Sequence, residues 1–400
     1  MTRSVGSPNP TPFNPLLDPI PKFRKPFTPT LGLPIAPLKS PDYEGTGALY
    51  FRLSKDNDRV ALLTVAHVAR PPPAYTNTDI LLKNARQPHD AIVALGSMGY
   101  QNATNAMMAT IGHLARSITV WEDDITRLGV FVDGENPTIT KKRRANQRQV
   151  EKATGIIDDL DKLHDEVTKH RTNPDQRIIG FVLHAEPIVA SSEPNQFTRH
   201  WAFIELYNER IDWGTFLGTR STLVRSKSRP AVSISADYSY PAGGNLSVPD
   251  FANLMFPHPE DRVNYKYPRD GLLQAYGIVK DNEIRQPQPN LEVNGEKALF
   301  VVKNGMTTGT TVGRVNGLES FTRVYPDYGI EHTSIETAIL PCDKRHGPFS
   351  ARGDSGSIIL ARDGRIVALL TGGAGTTDET DITYGTPGGH QENWKFAFSA

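Results

Sequence analysis

The chain is 400 residues long, enough to bury a large core and, by ordinary domain sizes, to form two or three domains. Lys plus Arg and Asp plus Glu each total 44, so the net charge is zero and gives no global case for nucleic acid or an anionic membrane as partner. One cysteine, Cys342, cannot form an internal disulfide, no apolar run reaches ~18 residues, and no signal-peptide core is visible, so the expected setting is cytoplasmic or nuclear, not secreted.

Residues 1–40 are Pro-rich with little periodicity and read as an extended, disordered arm. From Gly45 to about residue 99, short apolar and β-branched runs alternate with turn residues such as Lys55-Asp56-Asn57-Asp58, the pattern of consecutive short strands. The period then changes. Ala103, Ala106, Met107, Ile111 and Leu114 share one helical face, and Val150, Ala153, Ile157, Leu160, Leu163 and Val167 do so within 142–170. A helical insertion over about 101–174 is therefore expected inside a β-rich first part, 41–214. Its narrow stripe either folds against the chain's own strands or binds a protein partner through helix 142–170. The Lys141-Lys142-Arg143-Arg144 cluster reads as a solvated helix end.

Strand patterns resume at Arg177–Ala185 and Trp201–Leu206. A second β-rich part, 215–387, contains Leu299–Val302, Thr310–Val315, Ser357–Leu360 and Ile366–Leu370. The stretch 243–295 reads as a Pro- and Asp-rich surface excursion with a short helix at Phe251–Phe256, and 388–400 as an irregular tail without helical period. The eleven histidines show no zinc-type spacing with Cys or carboxylates, and no Walker-type phosphate loop occurs, so no metal or cofactor is expected.

Chemistry concentrates in two segments. Gly353-Asp354-Ser355-Gly356-Ser357 runs into the apolar Ile358-Ile359-Leu360. Glycines beside a serine let the backbone turn tightly and present N–H groups to an oxyanion, although a polar turn between strands would also fit. Leu62 to Val68 is a strand-like run ending in the lone His67. Nucleophilic serine chemistry needs a neutral imidazole to take the hydroxyl proton, and that base can lie far away in sequence. The order His67 before Ser355, and Ser357 where a Gly-x-Ser-x-Gly elbow ends in glycine, disfavour an α/β-hydrolase.

With Gly45–Leu53, Trp201–Leu206 and Lys303–Gly313, these segments resemble the chymotrypsin/trypsin-fold serine peptidases, in particular fungal intracellular trypsin-like proteins. The likeness spans about residues 40–387. It implies a mainly β fold of two antiparallel six-stranded β-barrels, with the helical insertion in the first and the nucleophile in the second. It also implies a serine endopeptidase acting on peptide or protein substrates, with Ser355 as nucleophile and His67 as general base. The N–H groups of Gly353 and Ser355 would form the oxyanion hole, and Phe349 would floor the specificity pocket.

Two departures matter. The family's third triad member is an aspartate before a Trp-Ala-Leu-Ile-like strand, and here His200 precedes Trp201-Ala202-Phe203-Ile204. Glu205 would face the opposite side of that strand. Three readings stay open: His200 orients His67, an acid such as Asp212 or Asp79 reaches the site, or the chain is an inactive scaffold binding peptides or proteins. The second departure is the missing C-terminal helix, which points to a truncated end. Asp354 needs a cationic or N–H partner, and no start sequence suited to activation by a freed N-terminus is seen.

Overall fold

Apolar and β-branched residues in an unbroken run make a strand covered on both faces, and Val60–Thr64 is buried at every position. The structure, a computed structural model, describes residues 21–27, 31–54, 57–82, 88–191, 196–211, 231–233, 248–258, 262, 272–287, 297–315, 317–343, 345–375 and 382–390. In chain order the first strands are β1 (Leu33–Pro37), β2 (Gly45–Gly47), β3 (Tyr50–Arg52), β4 (Val60–Thr64), β5 (Ile80–Leu81), β6 (Ala91–Ala94) and β7 (Ile178–Ala185). The short β8 (Val189–Ala190) and β9 (Thr198–Arg199) precede β10 (Ala202–Leu206).

The sheet order is β2-β1-β6-β7-β10-β4-β3. Strands β2 and β3 are two ends of one extended segment. Between them Ala48 N donates to Leu63 O (2.7 Å) and Leu63 N to Leu49 O (2.8 Å), so the sheet curls back on itself. The expected disordered arm therefore does not extend to residue 40. Leu33, Ile35 and Ala36 are buried, and β1 pairs with both β2 and β6. Pro34 lacks an N–H but still accepts from Leu95 N through its carbonyl (2.8 Å). Residues 1–20 lie outside the described residues.

Strands β11 (Ala231–Ser233) and β12 (Leu272–Gln274) pair with each other. The second sheet comprises β13 (Leu299–Gly305), β14 (Gly309–Val315), β15 (Glu319–Asp327), β16 (Ile330–Pro341), β17 (Ile358–Ala361), β18 (Ile366–Ala374) and β19 (Ile382–Pro387). Its order is β14-β13-β17-β18-β19-β16-β15, and an added β14–β16 pairing closes the ring, leaving β15 as an outer extension of β16. The architecture is thus mainly β with two curled antiparallel sheets, and the expected trypsin-like double barrel fits it. One apolar cluster joins them, with Leu62 and Ile204 from the first packed with Val302 and Leu360 from the second.

Helices serve this frame. Short α1 (Pro21–Arg24) and one-turn α2 (Ala66–Ala69) flank the first strands, whereas α3 (Ser97–Arg127) and α4 (Pro137–Arg171) form the insertion between β6 and β7. Asn136 caps α4 by accepting from Thr138 N (2.9 Å), with Pro137 at the first helical position. The stripe Leu160, Leu163 and Val167 is buried against Met107 of α3 and against Phe23 and Phe27. The apolar stripe of helix 142–170 is thus covered by the chain's own residues. Within the basic cluster, Arg143 is buried and binds Glu135 (2.7 Å) and Leu128 O (3.3 Å), tying α4 to the end of α3. Helix α5 (Val248–Met255) buries Phe251 and Met255 in the shared core, so this part of the predicted surface excursion is core-docked.

Candidate functional site

Strand β4 ends at Thr64, and His67 sits on the helical turn α2 rather than on the strand itself. The β4–β10 register aligns Ala202 with Thr64. Continuing that antiparallel register past both strand ends brings His200 opposite the start of α2. There His67 Nδ1 and His200 Nε2 are 2.5 Å apart, and the two rings stack at 4.7 Å between centroids. His200 is 4% exposed, and its Nδ1 has no hydrogen-bond partner among the described residues.

Neither Glu205 nor Asp79 pairs with these histidines. Glu205 faces outward and pairs with Arg59 (2.6 Å), as strand alternation requires. Asp79 approaches His184 (4.0 Å), and Asp212 lies outside the described residues.

Ser355 is half-buried in a turn shaped by two glycines. Gly353 has φ of 98° and Gly356 φ of 91°, the left-handed region where other residues are strained. A Cβ on Gly356 would also lie 2.1 Å from Thr46 O and 2.5 Å from Thr64 Oγ1. The turn is bonded to β2: Thr46 N donates to Ser355 O (2.8 Å), and Thr46 Oγ1 donates to Gly353 O (2.8 Å). Thr64 Oγ1 in turn donates to Thr46 O (2.8 Å). The serine turn of the second barrel is thereby fastened to the strand end from which His67 emerges. The N–H groups of Gly353 and Ser355 have no hydrogen-bond partner among the described residues.

Asp354 holds this turn from beneath. Its carboxylate accepts from Lys303 Nζ (3.0 Å), Thr307 N (2.8 Å), Thr308 Oγ1 (2.6 Å) and Ala351 N (3.0 Å). Both Lys303 and Asp354 are 0% exposed. Burial pushes the Asp354 carboxyl up, but the Lys303 charge and these hydrogen bonds outweigh it and hold it below its ordinary value. Burial likewise lowers Lys303, against the attraction of Asp354. Lys303 is the cation that Asp354 called for, and it belongs to the chain interior.

A cavity of about 520 Å³ opens beside the histidine pair, lined by His67, His200, His332, Glu336, Arg323 and the Thr371–Gly373 stretch of β18 among others. Phe321 and Tyr328, at its edge, are exposed. Glu336 is buried, and its carboxylate accepts from the Thr198 hydroxyl, from Ser334 Oγ (3.3 Å) and from Thr386 Oγ1 (3.1 Å). Burial raises its pKa to about 7 despite these donors. Burial also pushes His67 down to about 4, and together with the fields of His67 and His332 it takes His200 well below the ordinary histidine value.

Phe349 does not line this cavity. It is 1% exposed in the core of the second barrel, packed on Gly313 and Ile339. The wall of this cavity comes largely from β15 and β16. Lys303, His332 and Glu336 escaped the sequence reading, and only the unmet charge of Asp354 hinted at the first. Among the described residues no cluster of three or more His, Cys, Asp or Glu could hold a metal, and no helix is long and apolar enough to cross a membrane.

No family model matches the chain, and no curated protein does. Solved structures with detectable likeness include serine proteases. A glutamic acid-specific serine protease described as using a histidine triad in substrate binding shares 9% identity over 92% of this chain and 97% of its own, with a TM-score of 0.34. The chymotrypsin of Cellulomonas bogoriensis shares 15% over 55% of this chain and 76% of its own, with a TM-score of 0.27. The active form of an M. tuberculosis protease shares 11% over 100% of this chain and 93% of its own, with a TM-score of 0.29.

Proposed function

We propose that this chain is a serine-type hydrolase of peptides or proteins with low intrinsic activity. The observation that carries this reading is the His67–His200 contact at the same β2–β4 corner to which the Ser355 turn is bonded. Ser355 Oγ attacks the substrate carbonyl carbon, and its proton passes to His67 Nε2. The carbonyl electron pair moves onto oxygen, which the free N–H groups of Gly353 and Ser355 receive. His67 returns the proton to the leaving amine, and a water repeats the sequence on the acyl-enzyme. His200 orients His67 but brings no negative charge to stabilise the imidazolium. In chymotrypsin-like enzymes an amide in place of the aspartate lowers kcat by about 10⁴, and a deficit of that order is expected here.

The lone Cys342 supports work in a reducing compartment, cytoplasmic or nuclear. Turnover of a peptide mixture should vanish in Ser355→Ala while circular dichroism stays unchanged, and turnover surviving that substitution would refute the assignment. The absence of any described carboxylate in contact with His200 also favours a second reading, a non-catalytic scaffold that holds peptides in the cavity. His200→Asp separates the two. An enzyme weakened by one lost charge gains hydrolysis, and a scaffold gains none.

A further inference from the structure

Strand β15 ends the second sheet: β16 lies on one side of it, and no strand follows on the other among the described residues. The far neighbour of β16 fixes which backbone groups face that open side. Ile335 N donates to Gln196 O (3.1 Å), so Ile335 turns its backbone away from β15. Phe321 lies opposite Ile335 in the β15–β16 ladder. At such a position of an antiparallel pair both members turn outward, so Phe321 directs its N–H and C=O to the open edge. Its ring is 78% exposed.

An edge of this kind is a template for another strand unless something blunts it. Here the blunting sits at the hairpin end alone, where the register breaks between Val324 and Asp327 and Pro326 lacks an N–H. The stretch Glu319–Val324 keeps an unbroken register with β16.

That stretch is its own complement. Glu319, Phe321 and Arg323 share one face of the strand, with the aromatic ring midway between opposite charges. All three are exposed. Laid antiparallel on itself with Phe321 opposite Phe321, the sequence sets each Glu319 opposite the other copy's Arg323. The two Phe321 residues then exchange N–H and C=O across the joint. Sliding the copies until Glu319 meets Glu319, or Arg323 meets Arg323, sets like charges opposite each other, so charge selects the central register. Within its own chain Glu319 accepts from Arg285 Nε (3.0 Å), and Arg323 donates to Glu331 (3.0 Å). These exposed pairs are weak, and a second opposite charge adds to each of them. We propose that β15 pairs antiparallel with β15 of a second copy of this chain, giving a two-fold dimer joined through one continuous sheet. Phe321 and Arg323 also line the cavity, so the joint sets the partner's Phe321 at its rim.

One strand from each copy is a smaller joint than the roughly 20–30 residues a side of a standard interface, so Kd should be on the order of 10 µM. Sedimentation equilibrium of the wild-type chain from about 1 to about 100 µM should therefore show the mass doubling. Glu319→Arg and Arg323→Glu each replace two opposite-charge contacts by two like-charge ones, and each should weaken the dimer about tenfold or more. An equimolar mixture of the two variants, carrying different dyes, should restore association near the wild-type strength, because every arginine of one copy then faces a glutamate of the other. That rescue excludes misfolding as the reason either variant fails alone. A wild-type chain that stays monomeric would overturn the proposal, and slow amide exchange at Phe321 in that monomer would assign the edge to another segment of the same chain. A dimer that both single variants leave unchanged would place the joint on a different face. Failure of the mixture to associate, beside a wild type that does, would refute the register.

Discussion

Lys303 and Asp354 are opposite charges sealed from solvent directly beneath the nucleophile turn. Removing one partner of such a pair strands the other charge in the interior, which costs about 3–5 kcal/mol. Lys303→Met should therefore lower the urea-unfolding free energy by about that amount, and Lys303→Met with Asp354→Asn should recover most of it. Equal stability of the single variant and wild type would remove the pair from the account. Glu336 and His67 give opposite pH signatures. With its pKa raised to about 7, Glu336 binds its proton more tightly in the folded chain, so its contribution is present below the ordinary 4.5 and fades as pH rises through 7. His67, lowered to about 4 from 6.5, contributes above 6.5 and fades as pH falls to about 4. Glu336→Gln removes only the first effect, so its stability relative to wild type should rise by about 3 kcal/mol between pH 4.5 and 8. Parallel profiles would show that Glu336 titrates normally.

Among elements, the α3–α4 insertion is the most self-contained. Leu163 is 1% exposed within a cluster made, among the described residues, of the insertion, Leu95 and the α1 neighbourhood. Leu163→Ala should cost about 2–5 kcal/mol and speed amide exchange in α3 and α4 while β4, β10 and β17 keep their protection. Uniform acceleration across the barrels would mean that the insertion is part of their core. These helices were legible in the sequence because their apolar period is local, and β4 and β17 because an unbroken apolar run is local too. Strand β1 was not, since Pro34 and Pro37 gave its stretch the composition of a disordered arm, whereas pairing on both sides and buried Leu33 and Ile35 decided the matter. His67 and Ser355 were recognisable from their flanking glycines and strands. His332 and Glu336 were not, because they reach the cavity only through the register of β16 with β19 and β15, which no local spacing encodes.

At the scale of the whole molecule, the candidate site is a property of the junction. His67 and His200 come from the first sheet, the Ser355 turn from the second, and Thr46 fastens one to the other. Asn304 Nδ2, donating to Leu31 O (2.8 Å), repeats that link elsewhere along the junction. One core cluster runs through both sheets. The Asp354 turn is ordered by its bonds to Lys303, Thr307, Thr308 and Ala351. The direct measurement is reaction of the 400-residue chain with a fluorophosphonate, with the adduct located by peptide mass spectrometry. The account predicts slow modification of Ser355 alone, lost in both Ser355→Ala and His67→Ala. A folded wild-type protein that takes up no probe at Ser355, or takes it up equally without His67, would contradict it.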